Sequence, residues 1–358
     1  MRITSVDAIP YAIPFSSAYV TSLGRLDRRE MVLVRIRTND GLEGLGEAVP
    51  LTLRGGASLR AVELELRERA APALVGSNPR SSAADPAPFV AGLSAPAAAA
   101  IEVALVDLAA RIDGVPAWRL LGASSAQPVE CNATLVAGPP RAVAEDASHW
   151  LDQGFRTFKL KVGVPGDVGQ VEAVRATIGP RARIRVDANG AWAPDEAVIR
   201  LTAMERHGIE LAEQPAASLD ALAAVRAQTA VPIAADESVA TANDARRAVE
   251  IAACQLATVK IAKAGGIRAA LEIASLLPVY LSSALDGPVG LAAAAHAVQV
   301  IRGEGCLAPL AHGLATQLLF RDDVARVGCM VRDGLLHLPD GPGLGVEIDA
   351  GALERHRL

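Results

Sequence analysis

Lysine is nearly absent from this 358-residue chain. Of 35 basic residues only four are lysines, at positions 159, 161, 260 and 263, and arginine supplies the rest. Aromatic residues are 3% of the chain, too few for a surface that binds by stacking on bases. A basic excess is also lacking: the formal net charge is −5 and the pI is about 5.8, which argues against a nucleic-acid partner. The four cysteines, Cys131, Cys254, Cys306 and Cys329, are widely spaced and form no C-x-x-C pair. That excludes a disulfide framework or zinc ribbon and points to reduced thiols in a cytoplasmic protein. The opening Met1-Arg2-Ile3-Thr4-Ser5 carries no signal-peptide pattern. The longest apolar stretch, around Ala97 to Ala110, is interrupted by Glu102 and Asp107, so no membrane span is expected.

What is present is a large apolar fraction, 51%, with 21% charged residues. Such a chain buries a substantial core, and intrinsic disorder is excluded. The length suits two domains, or one large barrel with an appendage. The lysines fall in two short segments, TFKLKVG and TVKIAKAGG. Arginine keeps its proton in a protein, whereas a lysine releases it when the surroundings lower its pKa. Against simple compositional bias, the two segments mark places where a titratable amine is needed.

The first ~125 residues read as α+β. Ile3–Phe15 alternates, Met31–Thr38 (MVLVRIRT) is a strand, Asn39-Asp40-Gly41 a turn, and Leu42–Ala48 (LEGLGEA) the returning hairpin strand. Gly44 and Gly46 lack the spacing of a nucleotide loop and belong to that hairpin. Helices are expected at Leu59–Leu74 and Ala97–Ile112. From about residue 128, strand-like runs alternate with helical segments such as Pro194–His207 and Leu219–Thr229. The runs are Val129–Leu135, Arg156–Val162, Arg183–Asp187, Ile209–Glu213, Pro232–Asp236, Leu256–Lys260, Val279–Ala284 and Leu307–Ala311. Eight such units predict a TIM-type barrel, with a doubly wound sheet as the rival.

Charged residues recur at the strand ends: Lys161, Asp187, Glu213, Asp236, Lys260 and Asp286, at intervals of 26, 26, 23, 24 and 26 residues. In a barrel those ends converge on one mouth, where active sites lie. Asp187, Glu213 and Asp236 would repel one another there, and a divalent cation removes the conflict. An all-oxygen set favours Mg²⁺, with Mn²⁺ as an alternative, over zinc. Glu237 adjoins Asp236, so the third ligand is one of the two. Lys159 and Lys161 point the same way on one strand, and mutual repulsion beside a metal is expected to lower the pKa of Lys161 to that of a base. Lys260 lies four strands on, across the mouth. Two amines around a metal-bound carboxylate suit proton abstraction at the α carbon through an enediolate. Lys263, past its strand end, reads as ordinary.

The segments KLKVG, RVDANGAW, LAEQP, AADES and VKIAKAGGI, in this order and spacing, resemble the enolase superfamily, in its muconate-lactonizing-enzyme-like subgroup. The resemblance runs almost end to end. It implies an α/β fold: a (β/α)7β barrel at residues 126–321, an α+β capping domain at 1–125, and a C-terminal tail, 322–358, packed back on the cap. It implies that Asp187, Glu213 and Asp236 hold Mg²⁺, that Lys161 is a base with Lys159 its companion, that Lys260 is the lysine opposite, and that Asn189 lies near the metal. A small-molecule carboxylate substrate follows, and a homo-oligomer, dimer or octamer, is common in the family. HGLAT at 312–316 and SSALDGPVG at 282–290 are similar to o-succinylbenzoate synthases, which dehydrate a cyclohexadiene carboxylate of menaquinone biosynthesis. The acidic D-x-D pair of dipeptide epimerases and the Glu of muconate cycloisomerases are missing at the eighth strand. N-acyl amino acid racemisation, dipeptide epimerisation and muconate cycloisomerisation are the alternatives. A metal-dependent hydrolase would need histidine ligands the strand ends do not supply. Specificity is expected from cap loops at Tyr19–Gly24 and Thr52–Arg54, with Tyr19 and Arg54 at the substrate, and from Ser283 and Asp286, the latter with a competing role as a loop cap. His312 reads as structural, Trp118 and Trp192 as packing residues, and Glu47 as a residue that orients a loop.

Overall fold

The alternating apolar residues at the start of the chain pair into an antiparallel sheet of three strands, in the order β1 (Ile3–Thr21), β2 (Gly24–Thr38) and β3 (Glu43–Ala48). The structure, a computed structural model, describes residues 1–21, 24–52, 55–301 and 310–358. The expected hairpin is present, with Val32 opposite Ala48 and Gly41 at φ 82° in the turn. The glycines of β3 serve close packing. A Cβ on Gly46 would stand 1.9 Å from the Ala100 carbonyl oxygen, and one on Gly44 2.4 Å from that of Ala104.

Those carbonyls belong to the alanine-rich helix Ala95–Asp113, which ends at Gly114 in the left-handed conformation, φ 67°. Small side chains let the helix lie directly against the sheet and be buried on most of its surface. The two charges that interrupt its apolar run act as clasps. Glu102 accepts from the Arg268 backbone at 3.0 Å. Asp107 accepts from Leu45 N at 2.8 Å and from Leu344 N at 2.6 Å. The helix expected at Leu59–Leu74 is helical throughout, but Leu66–Ala70 is a π-helical segment, and Pro72, two residues further on, has no N–H for a regular ladder.

The run expected as one strand at Val129–Leu135 divides at Cys131. β4 (Val129–Glu130) pairs with the tail strand Leu335–His337, where Leu335 stands opposite Glu130. The barrel begins with β5 (Asn132–Leu135). It continues through β6 (Thr157–Lys161), β7 (Arg183–Asp187), β8 (Ile209–Glu213), β9 (Ile233–Ala235), β10 (Leu256–Val259) and β11 (Val279–Leu281), each beside the next in a parallel sheet. Helices follow each strand. Their starts are set by local chemistry, such as the Ser218 hydroxyl on Ala221 N and the Thr241–Asp244 capping box.

The sheet curls until its edges meet. His312 bridges to Cys131 beside β5, and Gly313 bridges to Ser282 just past β11. The eighth strand was expected at Leu307–Ala311; residues 307–309 lie outside the described residues, and the closing bridges fall one to two positions beyond that run. They fall there because His312 N donates to Glu130 O at 2.7 Å and Gly313 N to Leu281 O at 2.9 Å. The chain end returns to the cap, with Leu358 N donating to Pro10 O at 3.0 Å. Among the described residues no helix is long and apolar enough to cross a membrane.

Candidate active site

Strand register places the charged residues. Lys161 stands opposite Asp187, and Asp187 opposite Glu213, so three adjacent strands present one row of charges at their C-terminal ends. Asp236 follows β9 and Lys260 follows β10. All three carboxylates are fully buried, and the lysines stand between them and the cavity. Lys159 and Lys161 both reach Asp187 Oδ2, at 2.9 and 2.6 Å. Lys159 also reaches Glu213 Oε2 at 2.6 Å, and Lys260 pairs with Asp236.

Electrostatics follow from that interleaving. Burial disfavours charge on Asp187, but Lys159 and Lys161 outweigh it and hold the carboxyl below its ordinary range. Glu213 goes the other way: burial, then the Asp187 charge, raises it despite Lys159. Burial and the Lys159 charge lower Lys161, yet Asp187, Tyr19 and Glu213 together outweigh them and keep the ammonium above the ordinary lysine value. Lys159 is raised further for the same reason. The expectation of a lowered lysine pKa therefore fails while Asp187 is paired with the lysines.

Among the described residues no three His, Cys, Asp or Glu side chains form a ready-made metal cage, because ammonium groups stand between the carboxylates. The donor set nevertheless suits a divalent cation. It is all oxygen, both aspartates press on Glu213, and Glu213 Oε1 is buried with no hydrogen-bond partner. Glu237 turns sideways and accepts from Asn189 Nδ2 at 3.0 Å.

The enclosing parts come from two levels of the fold. The barrel contributes Thr134, Lys159, Lys161, Asn189, Lys260, Lys263 and the stretch Ser282–Leu285. The cap contributes Tyr19, Leu26, Arg29, Pro50 and Leu51. The cavity is thus shared between the barrel mouth and a separate cap, and two family models match the chain over these two parts. One, for the mandelate racemase / muconate lactonizing enzyme N-terminal domain, covers residues 4–122; the other, enolase C-terminal domain-like, covers 142–352.

The chain belongs to the enolase superfamily. Within it the chain falls in the muconate-lactonizing-enzyme-like subgroup, and the barrel and cap are those of that superfamily. The L-Ala-D/L-Glu epimerase of Bacillus subtilis is 31% identical over 361 residues, 97% of each chain. The o-succinylbenzoate synthase of Thermobifida fusca is 43% identical over 204 residues, 55% of this chain and 62% of that one. A dipeptide epimerase from Cytophaga hutchinsonii, solved with Mg and the dipeptide D-Ala-L-Val, superposes with TM-score 0.91 at 29% identity, covering 99% of this chain and 98% of that one.

Several expected site residues do meet at the cavity of this superfamily member. Tyr19, Lys159, Lys161, Asn189, Lys260 and Ser283 line it. Asn189 sits just past β7 in the left-handed region, φ 48°, and accepts from Lys161 at 2.9 Å. Asp286 does not line the cavity. Its carboxylate takes Ser283 Oγ and Ala284 N, both at 2.7 Å, so it caps its own loop. Arg54 lies outside the described residues. His312 accepts from Leu281 N at 3.0 Å and is structural. Glu47 does orient a loop: it accepts from Gly287 N at 2.6 Å and from the Tyr11 hydroxyl at 2.8 Å, and burial pushes it up to about 8.

Other residues of the site escape the strand-end pattern. Lys263, expected to be ordinary, comes back over one helical turn to within 2.9 Å of Asp236 Oδ1. Gln214, at φ 39°, accepts from Asp236 N at 2.8 Å and fixes that residue's backbone. Arg29, a cap residue, donates from one nitrogen to Pro50 O at 2.8 Å and to Ala284 O at 2.9 Å, joining cap loop to barrel loop. Its signal in the sequence is faint, since 31 arginines compete for attention. The lysine scarcity that singled out Lys159, Lys161 and Lys260 singles out Lys263 equally.

Proposed function

We propose that this enzyme is an o-succinylbenzoate synthase, which removes water from a cyclohexadiene carboxylate after abstracting the proton α to the carboxylate. The observation that carries this reading is the wall of the cavity. Among the described residues it presents Lys159, Lys161, Lys260, Lys263 and Arg29, with apolar Leu26, Pro50, Leu51 and Leu285, and no acidic side chain. That lining favours a substrate with more than one carboxylate and an apolar ring. It offers nothing to the free ammonium of a dipeptide. The greater identity to the Thermobifida fusca synthase over half the chain supports the same reading.

In this proposal Asp187, Glu213 and Asp236 hold Mg²⁺, with Mn²⁺ as an alternative. The cation, when bound, neutralises the substrate carboxylate and lowers the cost of the charge that builds on it. With Asp187 committed to the metal, Lys161 keeps the two influences that lower its pKa, burial and the Lys159 charge, and loses the one that raises it most. Lys161 then takes the α proton as its C–H bond breaks. As the C–O bond breaks, it returns that proton to the departing hydroxyl, which leaves as water. Lys260, four strands away round the barrel, stays protonated and faces the developing negative charge. Asn189 steadies Lys161 through its side-chain oxygen. We assign residues 1–125 to the cap, 126–321 to the barrel and 322–358 to the returning tail.

A second reading, racemisation of N-acyl amino acids, is favoured by one observation: amines from β6 and from the end of β10 line one cavity, as two-base chemistry requires. An acyl group also removes the ammonium that this cavity does not serve. The discriminating experiment is turnover of the cyclohexadiene substrate with and without Mg²⁺, followed by ultraviolet absorbance. Metal-dependent formation of the aromatic product supports the synthase. Absence of turnover in folded, metal-loaded protein, with deuterium entering both enantiomers of an N-acyl amino acid, replaces it with the racemase.

A further inference from the structure

Beneath the row of carboxylates lies a small apolar cluster. Leu211, Ala234 and Leu256 form one buried cluster with Tyr280 of β11. A hydroxyl in such a layer costs about 1–3 kcal/mol unless it is hydrogen-bonded. Tyr280 spans the layer and donates to Glu213 Oε2. Its ring is itself held. The Arg185 guanidinium lies over it, 4.6 Å from the centroid, and Arg185 is pinned by Glu210 at 2.6 Å and by Ala311 O at 2.7 Å.

The two oxygens of Glu213 are therefore unequal. Oε2 takes Tyr280 and Lys159, whereas Oε1 is buried without a hydrogen-bond partner. The two donors differ in one respect that matters beside a metal. A divalent cation repels the Lys159 ammonium but not a neutral phenol, so Tyr280 is the donor that can stay in place when the cation arrives.

We propose that Tyr280 is a positioning residue for the metal centre, holding Glu213 by Oε2 so that Oε1 is presented to the cation. This rests on reading Asp187, Glu213 and Asp236 as the Mg²⁺ site. The effect belongs to the outer layer of contacts that fixes a ligand's orientation, whose loss costs about 10–100-fold in metal affinity.

The test is calorimetric titration of Mg²⁺ into the unmodified protein, Tyr280→Phe and Glu213→Gln. The phenylalanine keeps the ring beneath Arg185 and removes only the hydroxyl. The proposal expects binding by the unmodified protein, loss of it in Glu213→Gln, and a Kd about 10–100-fold higher in Tyr280→Phe. In turnover the same variant should need more Mg²⁺ for half-maximal rate, with kcat restored at saturating Mg²⁺. An unchanged Kd and unchanged Mg²⁺ activation in Tyr280→Phe would overturn the role of Tyr280 while leaving the metal site intact. Mg²⁺ uptake that is absent, or indifferent to Glu213→Gln, would overturn the metal site itself and the positioning role with it. Thermal melts without Mg²⁺ establish folding; if the phenylalanine variant does not fold, Tyr280→Met, which also suits an apolar layer, is read by the same criteria.

Discussion

Lys161 and Asp187 stand opposite each other on adjacent parallel strands, and the Lys161 ammonium donates to Asp187 Oδ2 at 2.6 Å. The pair joins the proposed base to the proposed metal ligand. While it is closed, the Asp187 charge favours the protonated amine. In the proposed mechanism, cation binding at Asp187 and activation of Lys161 are one event.

Lys161→Ala removes the proposed base without touching the strand backbone. Turnover should fall by about 10²–10⁴-fold, the usual worth of a general base. The comparison is kcat/KM against circular dichroism and melting temperature. Near-normal turnover in folded Lys161→Ala would end the proposed mechanism.

Chelation should abolish turnover, and Mg²⁺ should restore it. Asp187→Asn should bind Mg²⁺ weakly by calorimetry and recover little activity at any concentration. It loses a ligand charge and the partner of two lysines together. Full activity in chelator would exclude the metal site.

Lys263→Met leaves Asp236 with Lys260 as its paired lysine and tests a residue the strand-end pattern passed over. Losing a hydrogen bond to a charged group costs about 1.5–3 kcal/mol, so kcat/KM should drop at least tenfold. Wild-type kinetics in this variant would return Lys263 to the background.

His296 contributes to the acid limb of stability. It is buried, accepts from Trp118 N at 3.0 Å, and burial lowers it from 6.5 to about 4. A folded-state pKa below the unfolded value means stability that is complete above pH 6.5 and lost as pH falls toward 4. The full effect is about 3 kcal/mol. His296→Gln should flatten that limb in denaturant titrations across the same window.

Glu47 contributes with opposite sign as pH rises. Its folded pKa of about 8 lies above the ordinary 4.5, so its contribution is intact below pH 4.5 and is lost as pH rises through about 8. Glu47→Gln keeps an acceptor for Gly287 N and should melt at a higher temperature than the unmodified protein at pH 9, with a smaller difference near pH 5. An equal difference at both would mean that Glu47 is ionised throughout.

The repeating placement of Lys161, Asp187, Glu213, Asp236 and Lys260 was legible in the sequence because strand periodicity and barrel geometry are regular: side chains alternate, and all C-terminal strand ends face one mouth. Arg183–Asp187 and Ile209–Glu213 are strands with the very bounds that their residues suggested. The hairpin of β2 and β3 and the long alanine helix follow from local turn and capping chemistry in the same way. What local pattern cannot carry is contact between distant elements. Only tertiary packing turned Asp286 into its own loop and brought Lys263 back to Asp236. Only packing moved the barrel seam to His312 and Gly313, and set Tyr280 beneath Glu213. The protonation of Lys161 belongs with these. Its sign depends on whether Asp187 spends its charge on that lysine, a distance between two strands that no spacing along the chain contains.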